Sequence, residues 1–376
     1  MNAISILNGR VLTPDGFVDT PLQIEDGAIA GFDTAGETVL DAQGAYVLPG
    51  IVDIHGDAFE RNMMPRPKVF FPSELALHET DRQLVSNGIT TAFHSLTVSW
   101  EPGLRSFAHT RELCSAIARN RSKLYCDTLV HLRWETFALD EVEGVLDIIA
   151  DEPNAILAFN DHTTKSADGR EKPHKLAQMS ERTGLSQDEF RALLMRVWSR
   201  KDEVKEEIVR IAREARKAGA ILLAHDEESV EQRQWFRSLG AIASEFPLTR
   251  ETASDARIHG EHVVLGAPNV VRGGSHNGAM DATEAIAEDL CSVLATDYYY
   301  PAPLHAAFRL ATEGIRDLAD AWALVSANPA AVGGLDDRGT IEYGRRADII
   351  VVDVPDGEHP RVKATFVAGR KAFDRH

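Results

Sequence analysis

Cysteine is scarce: Cys114, Cys126 and Cys291 are the only three among 376 residues. They are too few and too scattered for a disulfide framework, which leaves buried, reduced thiols as the reading. Long apolar runs are missing as well, since no stretch reaches the roughly 18–20 residues that a membrane helix requires. The opening segment MNAISILNGRVL has no basic region followed by a long apolar one. No signal peptide is expected, and a cytoplasmic location is the default expectation. Positive charge is in deficit, with Lys+Arg 40 against Asp+Glu 58 and a formal net charge of −18. That balance excludes a nucleic-acid-binding surface, which needs stripes of Lys and Arg, and it sits awkwardly with an anionic small-molecule substrate. No Gly-x-Gly-x-x-Gly follows the first strong strand pattern, and no low-complexity segment or short repeat is visible.

What is present is an ordinary globular composition, 44% hydrophobic and 26% charged, so disorder is excluded as the main state. The length suits one large α/β barrel or two medium domains. Both ends read as short strands. Leu22, Ile24, Ala28 and Ala30 alternate around the turn dipeptide Asp26-Gly27, and the run 362–373 turns at Ala368-Gly369. The middle alternates apolar strand-like runs with helical patterns. Eight strands are predicted, at 47–57, 88–96, 129–135, 155–162, 220–227, 241–247, 262–269 and 292–299. Between them lie amphipathic stretches such as 206–219, where Ile208, Ile211, Ala212 and Ala215 share a face and Gly219 can end the helix. The expected fold is α/β: a (β/α)8 TIM-type barrel over 53–335, plus a small β-sandwich domain built from 1–52 and 336–376. A doubly wound sheet is the alternative.

The polar residues sit where barrel chemistry sits, at the C-terminal ends of strands. Six of the eight runs end in an ionisable or metal-capable residue. The first ends in His55-Gly56-Asp57, whose i and i+2 side chains point to one face and can converge on an ion. The third ends in Glu135, with His131 and Arg133 on the same side. Glu135 is a candidate ligand, or else a member of a core ion pair with Arg133 or another base. The fourth ends in Asn160-Asp161-His162, the fifth in His225-Asp226-Glu227, and the sixth carries Glu245. His225 reads as a ligand or as a satisfied core histidine. Asp297 ends the eighth and can bind metal or move a proton. Nitrogen and carboxylate donors without thiolate fit one or two divalent ions, Zn²⁺ first, with Mn²⁺ and Fe²⁺ open.

Two loops suit anions. Met64-Pro65-Arg66-Pro67-Lys68 follows the first strand and brings Arg66 and Lys68. The segment 267–278 follows the seventh and combines Gly-bared backbone with Arg272, Ser275 and His276. Either loop taken alone also reads as an ordinary structured turn. The charge-rich stretch 200–217 reads as a solvated helix face.

The segments LPGIVDIHGD and GRRADIIVVD resemble the amidohydrolase superfamily. Longer blocks, including HGDAFERNMMPRPKVFFP, HLRWE, SEFPLT, GAPNVVRGGSHNGAM and ATDYYYP, are similar to one branch of it that acts in phosphonate metabolism. That resemblance runs over essentially the whole chain. It implies a metal-dependent hydrolase that cleaves the α–β phosphoanhydride of a ribose 1-alkylphosphonate 5-triphosphate and releases pyrophosphate. The implied metal set is His55, Asp57, Glu135, His225 and Asp297. Asp297 and His162 would be the catalytic residues, and Arg66, Lys68, Arg272, Ser275 and His276 would hold the substrate. His-x-Asp replaces the superfamily's common His-x-His, as in the branch. The lysine that many members carry after strand four is absent, and Glu135 would take its place. Where the branch has a Pro-Gly-Gln segment after Asp161-His162, this chain reads Thr163-Thr164-Lys165-Ser166-Ala167.

Two other readings stay in view. A cyclic amidase or deaminase would use the same activated water on a C–N bond, and a non-catalytic scaffold would hold no tightly bound metal. The expected partner is a small phosphorylated sugar, with no nucleic acid and no membrane. Oligomeric state is open, a symmetric homodimer being the commonest closed assembly.

Overall fold

A computed structural model describes residues 3–33, 38–170, 173–274, 280–355 and 358–375. All eight predicted middle strands are present. They are β1 (Ile51–Gly56), β2 (Ile89–Val98), β3 (Asp127–Glu135), β4 (Ile156–Asn160), β5 (Ile221–His225), β6 (Ala241–Glu245), β7 (His262–Gly266) and β8 (Val293–Ala295). Each pairs in parallel with the next, in chain order. A parallel bridge between Gly56 and Asp297 brings the last strand back to the first. The eight strands therefore form a parallel near-barrel with helices outside it, the leading architecture expected from the sequence.

The helices follow from local sequence. Lys201–Lys217 buries Val204, Ile208, Ile211, Ala212 and Ala215 as one stripe, and the chain turns at Gly219 with φ +91°. The side chains of Ser106, Ser229 and Thr249 accept the backbone N–H of His109, Gln232 and Thr252, capping the helices that follow β2, β5 and β6. Among the described residues no helix is long and apolar enough to cross a membrane. The three cysteines are buried and unpaired, and burial pushes the Cys114 and Cys291 thiols up to about 12.

Strands from both ends of the chain build two further sheets, one of four strands and one of six. The six-stranded sheet interleaves Tyr46–Pro49 with Ile349–Asp353 and Arg361–Val367. Its side chains alternate between two cores. Val47, Ile349, Val351 and Ala364 join Ile6, Leu22 and Ile24 of the other sheet. Leu48, Ile350, Val352 and Val362 pack with Leu84, Val85 and Trp322 from helices outside the barrel. Burial on both faces explains why ADIIVVDV is a continuous apolar run rather than an alternating one. The two predicted hairpins are present. Asp26-Gly27 and Ala368-Gly369 have positive φ at both turn positions, as the tight two-residue turn demands. They also meet: a Cβ on Gly369 would lie 2.9 Å from the Cα of Gly27, so only glycine fits there.

Candidate active site

Inside the near-barrel the lower layers are apolar. Val52, Ile54, Phe93, Leu129, Ile156, Ala158, Leu223, Ala243, Val264, Val293 and Ala295 form one cluster to which every strand contributes. Strand period two fixes what comes next toward the C-terminal ends. Leu223 leads to His225, Ala243 to Glu245, Ala295 to Asp297, and Leu129 to His131, Arg133 and Glu135. Val264 leads to Gly266, where a Cβ would stand 3.1 Å from Oδ2 of Asp297, so the glycine leaves room for that carboxylate. On β1 the pairing register slips between Asp53 and Gly56. Asp53 turns to Thr296, accepting its N–H at 2.9 Å and its hydroxyl at 2.6 Å, while His55 joins the interior polar layer.

His55, His225 and Glu245 are the group of three whose donor atoms all lie within 4.8 Å of one another, among the described residues. Nδ1 of His55 lies 2.8 Å from Oε1 of Glu245, and its Nε2 lies 3.3 Å from Nη1 of Arg133 and 3.3 Å from the Ser95 hydroxyl. A guanidinium can only donate, so Nε2 accepts and the proton sits on Nδ1, donated to Glu245. Burial first, then the Arg133 charge, holds His55 well below the ordinary histidine range, consistent with a neutral ring. Nε2 of His225, Oε2 of Glu245 and Nε2 of His131 are buried without a hydrogen-bond partner, while Nδ1 of His225 lies 3.2 Å from Oδ2 of Asp226. A buried polar atom left unpaired costs about 1–3 kcal/mol. Several such atoms facing one another, all nitrogen or carboxylate oxygen, fit a divalent ion.

The other expected ligands stand outside that group. Glu135 is drawn to the start of the short helix Thr163–Ala167. It accepts the Thr163 hydroxyl at 2.7 Å, the Thr163 N–H at 3.1 Å, the His162 N–H at 3.1 Å and the Asn160 amide at 3.2 Å. Neither is it the partner of Arg133. Burial and the nearby Asp161 push its carboxyl up to about 8. Asp57 faces two cations, with Oδ2 3.8 Å from both Arg133 and Arg105. Burial, with Glu60 beside it, raises its carboxyl. Asp297 is tied to β1 through its backbone: its N–H donates to His55 at 2.9 Å and its carbonyl accepts from Asp57 at 2.9 Å. Burial, then Asp57, raises the Asp297 carboxyl to about 7. His162 is held from both sides. Asn160 donates to its Nδ1 at 3.1 Å, so Nε2 carries the proton and donates to Asp226 at 3.2 Å. Burial opposes the charge of Asp226, but His225 and His162 beside it hold its carboxyl well below the usual range.

Arg66 and Lys68 lie exposed in the loop after β1. Arg272 ends the helix Ala267–Arg272 after β7 and donates to the Tyr298 hydroxyl at 3.4 Å, one residue beyond Asp297. All three are therefore on connections that leave the C-terminal ends of strands. Ser275 and His276 lie outside the described residues. Glu245, Asn160 and Asp226 were noted at strand ends without a role, Glu245 being left open as a ligand, and Arg133 was noted only as a possible partner of Glu135. The signal for Glu245 was available: Ala241, Ala243 and Glu245 share one parity, and the two alanines are inward.

The fold and this site together are those of a metal-dependent hydrolase. The amidohydrolase family model matches residues 194–374. The chain is 29% identical over 382 residues to alpha-D-ribose 1-methylphosphonate 5-triphosphate diphosphatase of Escherichia coli (strain K12), covering 98% of this chain and 100% of that one. Among solved structures it is similar to an amidohydrolase from an environmental sample of the Sargasso Sea, with TM-score 0.67, 17% identity and coverage of 99% and 93%. It is also similar to N-acetylglucosamine-6-phosphate deacetylase from Pasteurella multocida, with TM-score 0.65, 12% identity and coverage of 98% and 99%. At those identities the two structures speak for the fold.

Proposed function

We propose that the chain hydrolyses the α–β phosphoanhydride of a ribose 1-alkylphosphonate 5-triphosphate, releasing pyrophosphate and leaving a 5-phosphate. The observation that carries the reading is the set of unpartnered donors on His225 and Glu245 beside His55, in a chain alike along its full length to a diphosphatase. His225 and Glu245 would hold the ion, with His55 beside them orienting the Glu245 carboxylate, and Zn²⁺ is proposed for a site of nitrogen and carboxylate without thiolate. When bound, a divalent ion polarises the phosphoryl group and makes water a nucleophile near neutral pH.

The chain's own groups do the rest. The oxygen of water attacks the α phosphorus, and the bond from that phosphorus to the bridging oxygen breaks in line. Asp297 takes the proton from water, and a carboxyl near 7 suits proton transfer at neutral pH. His162, held by Asn160 and Asp226, faces the leaving pyrophosphate. Arg66, Lys68 and Arg272, with Ser275 and His276, neutralise the triphosphate. The two terminal sheets are read as a small β-sandwich unit, residues 1–52 and 336–376, set against the barrel 53–335.

The test is phosphorus NMR of a ribose or nucleoside 5-triphosphate digested by the metal-loaded protein. Pyrophosphate is the expected product. Orthophosphate alone, or ammonia released from a cyclic amide in a parallel assay, overturns the reading. Asp297→Asn is expected to lose nearly all turnover while keeping its circular dichroism spectrum. Near-native turnover in that variant removes Asp297 from the chemistry.

A further inference from the structure

Arg133 is a buried cation in the polar layer, 5% exposed, at the inward position of β3 between His131 and Glu135. Its Nη1 lies 3.3 Å from Nε2 of His55, and its Nη2 donates to the Thr97 hydroxyl at 2.8 Å and lies 3.8 Å from Oδ2 of Asp57. The guanidinium thus faces both members of the His-x-Asp pair, whose spacing on one strand suits a shared ion. A guanidinium stays charged at every accessible pH. It cannot give up its proton to admit a dication, and like charges at such range repel strongly in a buried site. Its carboxylate partner there is Asp57, which Arg105 also approaches at 3.8 Å.

The opposite side of the His55 ring is different in kind. There Glu245 and His225 present buried atoms without hydrogen-bond partners. One side of His55 has a cation built into the chain, and the other has donors in want of one.

We propose that Arg133 takes the place of a second metal ion: the site holds one divalent ion, on the His225 and Glu245 side, and Arg133 supplies the fixed positive charge at His55 and Asp57. The inference rests on the metal-dependent hydrolase reading and not on the identity of the substrate. Arg133 is then a permanent counter-charge for an anionic oxygen brought between the ion and β3.

The experiment counts metal in the full-length protein. Chelator-treated protein is incubated with excess Zn²⁺, freed of loose metal by gel filtration, and assayed by mass spectrometry for zinc per chain. One equivalent is expected for the native protein and for Arg133→Lys, which keeps the cation. Arg133→Met removes the charge with little change of length, and is expected to take up a second equivalent. Asp57→Asn in the native background is expected to leave the count at one, because Asp57 pairs with Arg133 rather than with the ion. Two equivalents in the native protein, or a count of one in folded Arg133→Met, overturns the proposal and leaves the hydrolase reading intact. No bound zinc, manganese or iron overturns both. If Arg133→Met fails to fold, the native and Asp57→Asn counts decide.

Discussion

Strand β3 enters the near-barrel at Asp127 and leaves it at Glu135, and the charges at its two ends are treated in opposite ways. At the entry, Oδ2 of Asp127 accepts from Arg338 at 2.6 Å and from Arg346 at 2.6 Å. Arg338 also donates to Thr91 at 2.9 Å, and Arg346 lies 3.1 Å from Asp348. Each cation there has a carboxylate, although Nε of Arg346 and Oδ2 of Asp348 lack hydrogen-bond partners of their own, and the network fastens the segment leading to the last strands onto the bottom of the barrel. At the exit, His225, Glu245 and His131 keep buried atoms unpartnered. The same residue types serve stability where they are paired off and reactivity where they are left wanting. Conserving energy is not the organising rule at the mouth, because an unpaired buried donor or acceptor is a cost that only a ligand relieves.

Three substitutions break or sharpen that contrast. The largest effect is expected from His225→Ala, which removes the unpartnered Nε2 and the neighbour of Asp226. kcat/KM for pyrophosphate release should fall roughly 10³-fold or more, about 4 kcal/mol of transition-state stabilisation, while circular dichroism and the melting curve stay near native. Glu245→Gln keeps the shape but loses the carboxylate beside His55. Zinc affinity, measured by competition with a chromogenic chelator, should weaken about 10–100-fold. An unchanged affinity would leave Glu245 with no part in holding the ion.

The smallest effect on catalysis, and the clearest on stability, belongs to the other end. Asp127→Asn should leave kcat unchanged and destabilise the fold by about 2 kcal/mol. Burial works against the charge of Asp127, but Arg338 and Arg346 outweigh it and hold the carboxyl below its ordinary value. A depressed carboxyl stabilises the folded state above its unfolded value, near pH 4, and loses that contribution as pH falls through the folded value. Urea midpoints should therefore separate native protein from variant at pH 7 and converge toward pH 3. A gap that persists in acid would mean that charge is not what Asp127 contributes.

The strands were legible because each inward run is continuous and apolar, and the hairpins because Asp26-Gly27 and Ala368-Gly369 have few other uses. The site was legible in its general place, since polar residues closing apolar runs stand out: His55, Asp57, His225 and Asp297 all fall in or beside the polar layer. The position of Glu135 apart from His55, His225 and Glu245 has a physical cause. Strand parity puts it inward with Arg133, but parity does not say which donors reach it, and the backbone of residues 162 and 163 offers two N–H groups at the start of a helix that the sequence pattern did not announce. Arg133 entered the sequence reading only as one possible partner of Glu135, because its actual neighbours come from β1 and β2, far away in sequence. Long-range pairing of this kind is invisible to spacing along one strand.

The net charge of −18 first counted against a polyanionic ligand. Partly buried acidic groups near the barrel ends are matched to internal cations, as Glu60 is to Arg105 at 2.9 Å and Asp127 to Arg338 at 2.6 Å. The bulk figure therefore says little about the mouth.

The interleaved six-stranded sheet sets an order of events on the ribosome. Tyr46–Pro49 emerges early, yet its antiparallel neighbour Ile349–Asp353 is made only after all eight barrel strands. Until then one edge of an apolar strand has no mate, and the helix surface formed by Leu84 and Val85 has no sheet to cover it. The cover can therefore close only after every barrel strand has been made, and Ile349–Asp353 is its latch.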